Sequence, residues 1–166
     1  MSFLQTKLGN TWSYADYQTW SEDERWEILE GQAYAMTSPT RLHQSVSAAL
    51  FVKIWTFLEN KSCEAYYAPF DVRFCEVSSD ETKIRTVLQP DIVVVCDLKK
   101  LDQKGCLGSP DWVIEIISPA SVQMDYIKKL NLYEKYLVKE YWIVHPVDKT
   151  VMIFQLSPDL FYGKPH

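Results

Sequence analysis

The sequence predicts an α/β (α+β) fold in which a mixed β-sheet is flanked by helices. Two short apolar runs, Ile92–Cys96 and Trp112–Ile117, are rich in β-branched residues and bounded by Pro and Gly, as buried strands are. A helix is predicted from about Ser121, because apolar residues then recur at helical spacing. These residues are Val122, Tyr126, Leu130, Tyr133 and Leu137.

The first part of the chain predicts a short helix and a hairpin. Ser13 can cap a helix that runs from Tyr14 to about Trp20. Trp26–Glu30 and Gln32–Met36 are the predicted arms of the hairpin, and Gly31 lies at its turn.

A long helix is predicted from about Arg41 to Asn60. Its apolar stripe consists of Val46, Ala49, Leu50, Ile54, Phe57 and Leu58. His43 lies at the start of this helix, on or beside the buried face. It is either a histidine at the edge of the core or a site residue that contacts a phosphate or a water, and a helix N-terminus favours an anion in either case.

The remaining strands follow from short runs of strand-forming residues bounded by turn signals. Leu88–Cys96 is the predicted central strand. The others are Cys63–Tyr67, Phe70–Cys75, Trp112–Ile117, Tyr141–Val144 and Val151–Leu156.

Length and composition predict one globular domain that spans residues 1–166. The chain is 47% hydrophobic and 23% charged, which is ordinary for a globular domain with a sizeable core. The formal net charge of −5 argues against broad nonspecific affinity for nucleic acid, although it allows a local basic patch. Lys99, Lys100 and Lys104 are the nearest approach to such a patch.

The cellular setting is expected to be cytoplasmic, without membrane association. The first residues contain no apolar segment typical of a signal peptide, and no run approaches the roughly 18 apolar residues of a membrane span. The cysteines show no CxxC spacing, so reduced thiols are expected rather than a zinc site or disulfides. They are Cys63, Cys75, Cys96 and Cys106.

Two carboxylates and one lysine occupy positions where the apolar pattern faces the core. Asp91 opens the first buried run, and Glu115 lies inside the second. Lys129 falls near the middle of the apolar stripe of the following helix, at roughly 100° per residue. Burying an ionised side chain in a core costs on the order of several kcal/mol. A cation partner, a metal ion or a raised pKa must therefore offset that penalty.

These residues resemble the core of the PD-(D/E)xK nucleases, and the chain is more specifically similar to the Uma2 family, formerly a domain of unknown function. The matching segments extend over most of the chain. They are WEILEGQAYAMTSP, RLHQSV, APFDVRF, QPDIVVVCD, GCLGSPDWVIEIISP, MDYIKKLNLYEKY and KEYWIVHP.

The resemblance implies a restriction-endonuclease-like fold and a metal-dependent endonuclease that hydrolyses DNA phosphodiester bonds. Asp91 and Glu115 would hold Mg²⁺ or Mn²⁺, because both ions prefer hard oxygen ligands. Lys129 would orient water or stabilise the transition state. Glu27 would complete the site; from the residues alone, it also fits a solvated strand position. His43 and Gln44 match the family as substrate-binding residues.

One departure from the simplest nuclease motif is that Ile117 stands where a lysine would follow the acid by two residues. The family pattern supplies the lysine from the helix, as Lys129. A pairing of Lys129 with Asp125, one turn earlier, is the purely structural alternative.

Other functions stay open at this point. A non-catalytic module of nuclease fold, binding nucleic acid or a protein partner, agrees with the acidic net charge. A metal-dependent hydrolase with a different substrate is a further alternative. A homodimer, in which two copies cut the two strands, rests on analogy alone.

Overall fold

The structure, a computed structural model, describes residues 11–21, 23–75, 80–118 and 124–166, with the backbone alone at 124–125. Helix α1 spans Tyr14–Tyr17 and helix α2 spans Arg41–Leu58. A π-helical segment, Met124–Lys129, continues directly into helix α3, Leu130–Lys135.

The strands are short and fall into two sheets. In chain order they are β1 Trp26–Leu29, β2 Gln32–Ala35, β3 Glu64–Tyr67, β4 Val72–Phe74, β5 Thr86–Leu88, β6 Ile92–Val95, β7 Leu101–Asp102, β8 Gly105–Leu107, β9 Trp112–Ile116, β10 Glu140–His145 and β11 Thr150–Gln155. The strand order is β2-β1-β5-β4-β8-β7 in one sheet and β11-β10-β9-β6-β3 in the other.

Both sheets are mixed, which confirms the predicted fold class. Strands β9 and β10 are parallel, as are β4 and β8, and the other pairs are antiparallel. The prediction of a central strand at Leu88–Cys96 was wrong, because this run is divided between two strands that lie in different sheets. Residues 86–88 pair in the first sheet and residues 92–95 in the second. Pro90 lies at the break, where it lacks the N–H that a ladder needs.

The five-stranded sheet buries both faces. Alternate residues of β6 and β9, such as Ile92 and Ile114, pack with Ile54 of α2 on one face. On the opposite face, Val93 and Val113 pack with Tyr133 of α3 and with residues of the first sheet. Because side chains alternate along a strand, Glu115 shares the second face with Val113 and points toward α3.

The predicted hairpin is confirmed, with a two-residue turn at Glu30-Gly31. Leu29 pairs with Gln32, and both turn residues have positive φ, 49° and 86°. That conformation is typical of the turn that matches the twist of two-residue hairpins. The turn fixes the register that places Glu27 opposite Tyr34.

The third predicted helix differs in extent and in type. Its predicted start at Ser121 and its stripe residue Val122 lie outside the described residues. The described part has wider, π-helical turns up to Lys129 and ends at Lys135. Leu137, predicted inside the stripe, follows the helix with φ 58° and is largely exposed.

The expectation that all four cysteines are reduced was wrong for two of them. Cys63 and Cys96 form a disulfide, while Cys75 and Cys106 are free. Glu64 pairs with Val95 in the antiparallel ladder of β3 and β6, so Cys63 and Cys96 are the next pair in register. The sequence alone does not reveal this pairing of strands. Within the described residues, no helix is both long and apolar enough to cross a bilayer.

Gly105 provides a test of the contact between β8 and the segment before β4. Its φ is 121°, and a Cβ added there would lie 2.2 Å from the backbone oxygen of Asp71. We expect Gly105→Ala to lower the free energy of unfolding by about 2 kcal/mol or more, since backbone strain and overpacking each cost about 1–3 kcal/mol. Urea titration followed by tryptophan fluorescence measures this change.

Gly163→Ala is the matched control, because a Cβ at that glycine meets no atom within 4 Å. We expect its unfolding midpoint to stay at the wild-type value. Equal midpoints for Gly105→Ala and Gly163→Ala would contradict the close approach of β8 to Asp71.

Candidate active site

Glu115 is a buried carboxylate in the middle of strand β9. It exposes 4% of its surface. Its Oε1 accepts a hydrogen bond of 2.9 Å from Lys129 Nζ and one of 2.6 Å from the Tyr133 hydroxyl. The carboxylate therefore receives the charged and neutral donors that a buried acid needs.

Lys129 joins Glu115 to a second carboxylate. Its Nζ lies 3.0 Å from Glu27 Oε1, and Lys129 exposes 4% of its surface. This position confirms the prediction that Lys129 faces the core, and the ammonium group lies on the same side of the sheet as Glu115. It is the last residue of the π-helical segment, and Tyr133 follows one turn later on the same face.

Glu27 is buried in β1, with 5% of its surface exposed, so the interpretation as a solvated strand residue was wrong. Its Oε1 also accepts the backbone N–H of Gln89 at 2.9 Å. Gln89 lies at the junction between the two sheets. Glu27 thus connects the first sheet, the junction and Lys129.

Asp91 lies just before β6, and its contacts hold it beside Glu115. Its Oδ2 is 3.1 Å from His43 Nε2 and accepts the backbone N–H of Ile116 at 2.7 Å. Since Ile92 pairs with Ile114, the next pair in this antiparallel register is Asp91 with Glu115. Neither of these two hydrogen bonds uses Oδ1.

All six side chains predicted for the site line one open cleft of about 160 Å³. They are Glu27, His43, Gln44, Asp91, Glu115 and Lys129. His43 and Gln44 come from the first turn of α2, where the Thr40 side chain caps the helix by accepting the His43 N–H. Five segments that are distant in sequence therefore meet at this cleft.

The residues in the cleft fit a hard divalent cation. Among the described residues, no group of three or more His, Cys, Asp or Glu side chains is placed so that it could hold a metal ion. Mg²⁺, however, is usually bound by only one or two carboxylates and takes its other ligands from water and phosphate. Asp91 and Glu115, adjacent in the sheet, could provide that pair of carboxylates.

Tyr133 also belongs to the candidate site, because its hydroxyl donates to Glu115, although the sequence predicted it only as part of the apolar stripe. Burial raises the pKa of its hydroxyl well above the usual value, and the neighbouring Glu115 carboxylate raises it further. The hydroxyl therefore stays protonated and donates to Glu115. The signal was available, since a buried tyrosine hydroxyl usually requires a partner.

Gln89 was missed as well; it lines the cleft together with Arg25 and organises a polar network there. Its Oε1 accepts from Arg25 Nη2 at 2.7 Å, and its Nε2 donates to Asp71 Oδ1 at 2.9 Å. The hydroxyls of Tyr14 and Tyr17 also donate to Asp71. Burial raises the pKa of the Asp71 carboxyl, although hydrogen bonds from Gln89 and Tyr14 oppose the shift.

Asp111, in the second Pro-Asp pair, lies outside the cleft lining. It accepts hydrogen bonds from Lys139 Nζ at 2.6 Å and from the Cys96 N–H at 2.7 Å. Although burial acts in the opposite direction, these partners hold the pKa of Asp111 below its usual value. The alternative pairing of Lys129 with Asp125 involves a side chain outside the described residues.

The chain is similar to known proteins in sequence and in fold. A sequence model of the Uma2 family, described as "Putative restriction endonuclease", matches residues 14–164. An uncharacterized protein of Synechocystis sp. is 24% identical over 152 residues, covering 87% of this chain and 74% of that protein.

The fold is similar to a crystal structure from Anabaena variabilis described as "a putative nuclease belonging to DUF820". The TM-score is 0.69 at 18% identity, and the match covers 86% of this chain and 79% of the other. At this identity, the likeness supports the restriction-endonuclease-like fold.

Tyr133→Phe tests the support of Glu115. The change removes one donor from a buried carboxylate, and we expect it to lower the free energy of unfolding by about 2 kcal/mol, within the range for hydrogen bonds to charged groups. Urea titration provides the measurement. Tyr136→Phe is the matched control, since Tyr136 packs on Phe74 through its ring. Equal stability of the two variants would contradict the role of the Tyr133 hydroxyl.

Asp71→Asn tests the raised pKa of Asp71. The folded state retains the Asp71 proton above about pH 4, where an unfolded aspartate has lost it. Unfolding therefore releases a proton in this window, and stability falls as pH rises toward the raised pKa. We expect Asp71→Asn to lose this part of the pH dependence, measured by urea titration from pH 4 to 7. An identical pH profile in wild type and variant would contradict the shift.

Proposed function

Because the chain belongs to the Uma2 family, we propose that it is a metal-dependent endonuclease that hydrolyses DNA phosphodiester bonds. The observation that carries the proposal is the position of Lys129. Its ammonium group contacts two buried carboxylates, Glu27 and Glu115, at the wall of an open cleft. A lysine buried only for stability would not require a cleft beside it.

Lys129 takes the place of the lysine that the simplest nuclease motif has two residues after the acid. Ile117 occupies that sequence position and is buried in the core. The helix instead brings the ammonium group to Glu115 from above the sheet, at 2.9 Å. Asp91, Glu115 and Lys129 would therefore act together in space, although the lysine does not follow the acid in sequence.

Asp91 and Glu115 would hold Mg²⁺ or Mn²⁺, together with the backbone carbonyl of Ile116. When bound, the ion would polarise the phosphate and lower the pKa of a coordinated water. Tyr133 and Lys129 would fix the orientation of Glu115. Glu27, already bonded to Lys129 and to Gln89, would act on the ion only through water.

The chain's own groups also provide charge stabilisation. As water oxygen attacks phosphorus and the bond to the leaving oxygen breaks, negative charge grows on the phosphoryl oxygens. The Lys129 ammonium would donate to the attacking water or to one of these oxygens. His43 and Gln44, at the N-terminal turn of α2, would contact the DNA strand at a helix end that favours anions.

A non-catalytic module that binds nucleic acid is the second candidate. The net charge of −5 favours it, since duplex DNA binding rests largely on basic side chains. Of the lysines expected to form a basic patch, Lys104 is paired with Glu81, and Lys100 donates to the backbone of Ser109. A homodimer that aligns two clefts would add contacts to DNA, and this assembly is part of the proposal.

The decisive variants are Lys129→Met and Asp91→Asn. We expect each to lower the rate of plasmid and oligonucleotide cleavage in Mn²⁺ or Mg²⁺ by about 100-fold or more, the usual effect of removing a group that stabilises developing charge. Gel assays under single-turnover conditions measure the rate. Lys149→Met is the matched control, because Lys149 is exposed at the turn between β10 and β11, and its rate should equal that of wild type.

Two outcomes would contradict the proposal. Cleavage that persists unchanged in Lys129→Met would exclude the lysine from the chemistry. Wild-type protein that binds DNA but cleaves no duplex, nicked or single-stranded substrate with either metal would support the non-catalytic module instead.

A further inference from the structure

An apolar groove lies beside the catalytic cleft and is walled by aromatic side chains. Phe51 and Trp55 project from α2, and Tyr67 projects from the end of β3, with Phe70 completing the wall. The Phe51 ring lies 4.8 Å from the Tyr67 ring and 5.8 Å from the Trp55 ring, between centroids. We call this feature the aromatic groove.

The aromatic groove presents large apolar surfaces to solvent. Trp55 is 58% exposed and Tyr67 is 61% exposed, and Val52 between them is 62% exposed. Among the described residues, none with a charged side chain lines the groove. Exposed apolar side chains that are contiguous, as these are, are typical of ligand-binding grooves and interaction sites.

Tyr67 lines both the cleft and the aromatic groove, so the two sites are continuous at this residue. A ligand that places a phosphate near Asp91 and Lys129 can therefore continue past Tyr67 onto Phe51 and Trp55. The two sites differ in chemistry: the cleft carries charged and polar groups, whereas the groove is neutral and aromatic. Nucleic acid has the same division between anionic phosphates and flat, uncharged bases.

From this continuity we infer that the aromatic groove binds unpaired bases of the strand whose phosphate lies in the cleft. The inference rests on the proposed function and names its substrate class as single-stranded DNA or a duplex with an unpaired end. Aromatic side chains bind such bases by stacking, without regard to sequence. In a blunt duplex, the bases are stacked on one another and their faces are not accessible to Trp55.

A second copy of the chain is the less suitable occupant. Eight residues line the groove, whereas a stable interface uses about 20–30 residues on each side. The groove also shares Tyr67 with the cleft. A dimer contact there would close the route into the cleft, which argues against it in a nuclease.

Trp55→Ala tests the inference through binding rather than cleavage. Fluorescence anisotropy in EDTA compares a labelled single-stranded oligonucleotide, a blunt duplex of the same sequence and an oligonucleotide with abasic sites. We expect Trp55→Ala to weaken binding of the single strand about tenfold, since one base stacked on an aromatic ring contributes about 1–3 kcal/mol. Affinity for the duplex and for the abasic strand should change less than about twofold, because the interior bases of the duplex are stacked on one another and an abasic site carries no base.

Two further variants separate the loss of stacking at Trp55 from unfolding and from the loss of apolar surface elsewhere on the helix. Phe57→Ala removes an aromatic ring that is 66% exposed on the same helix. This ring does not line the groove, and the Lys61 ammonium group lies over it. The affinities of Phe57→Ala should match those of wild type. Trp55→Phe retains a ring and should restore most of the affinity for the single strand.

The outcomes separate this inference from the proposed function. Equal affinity of wild type and Trp55→Ala for the single strand would overturn the inference. It would not contradict the proposed nuclease function. Wild type that binds none of the three oligonucleotides would overturn the inference, whereas the cleavage assays in Mn²⁺ or Mg²⁺ test the proposed function separately. A wild-type dimer that becomes a monomer on Trp55→Ala, in sedimentation velocity, would assign the groove to a second copy and overturn the inference.

Discussion

The contact of Lys129 with Glu27 and Glu115 is the interaction on which the rest of the structure depends. All three side chains are almost fully buried, and the Lys129 nitrogen lies 3.0 Å from a Glu27 oxygen and 2.9 Å from a Glu115 oxygen. Removing one partner from such a cluster leaves an uncompensated buried charge and costs about 3–5 kcal/mol. The same contact joins the first sheet, the second sheet and the segment before α3, so it unites the fold and forms the proposed site.

The junction between the two sheets gives this contact its geometry. Gln89 holds Glu27 through its backbone and Asp71 and Arg25 through its side chain, and Asp91 follows two residues later. A chain that continued as one strand through Pro90 would have kept Glu27 and Glu115 in a single flat sheet. The break turns the chain, and the cleft opens where the two sheets separate.

The sequence predicted much of this site because its signals were local. Glu115 interrupts an apolar run, and Lys129 falls within an apolar helical stripe, so both residues could be identified without knowledge of the fold. Glu27 lacked such a signal and depended on the family resemblance. Tyr133, Gln89 and the disulfide of Cys63 with Cys96 could not be assigned, because their roles arise from which strands pair and which helix covers them. The division into two sheets likewise depends on long-range pairing that a proline only suggests.

Manganese soaked into crystals of this protein would test the central claim most directly. Anomalous diffraction at the manganese edge locates the ion without reference to activity. The account predicts a peak bound by Asp91 and Glu115, with Lys129 still in contact with Glu115, and loss of the peak in Glu115→Gln crystals. No peak in the cleft at millimolar manganese, or a peak that persists in Glu115→Gln, would contradict the account.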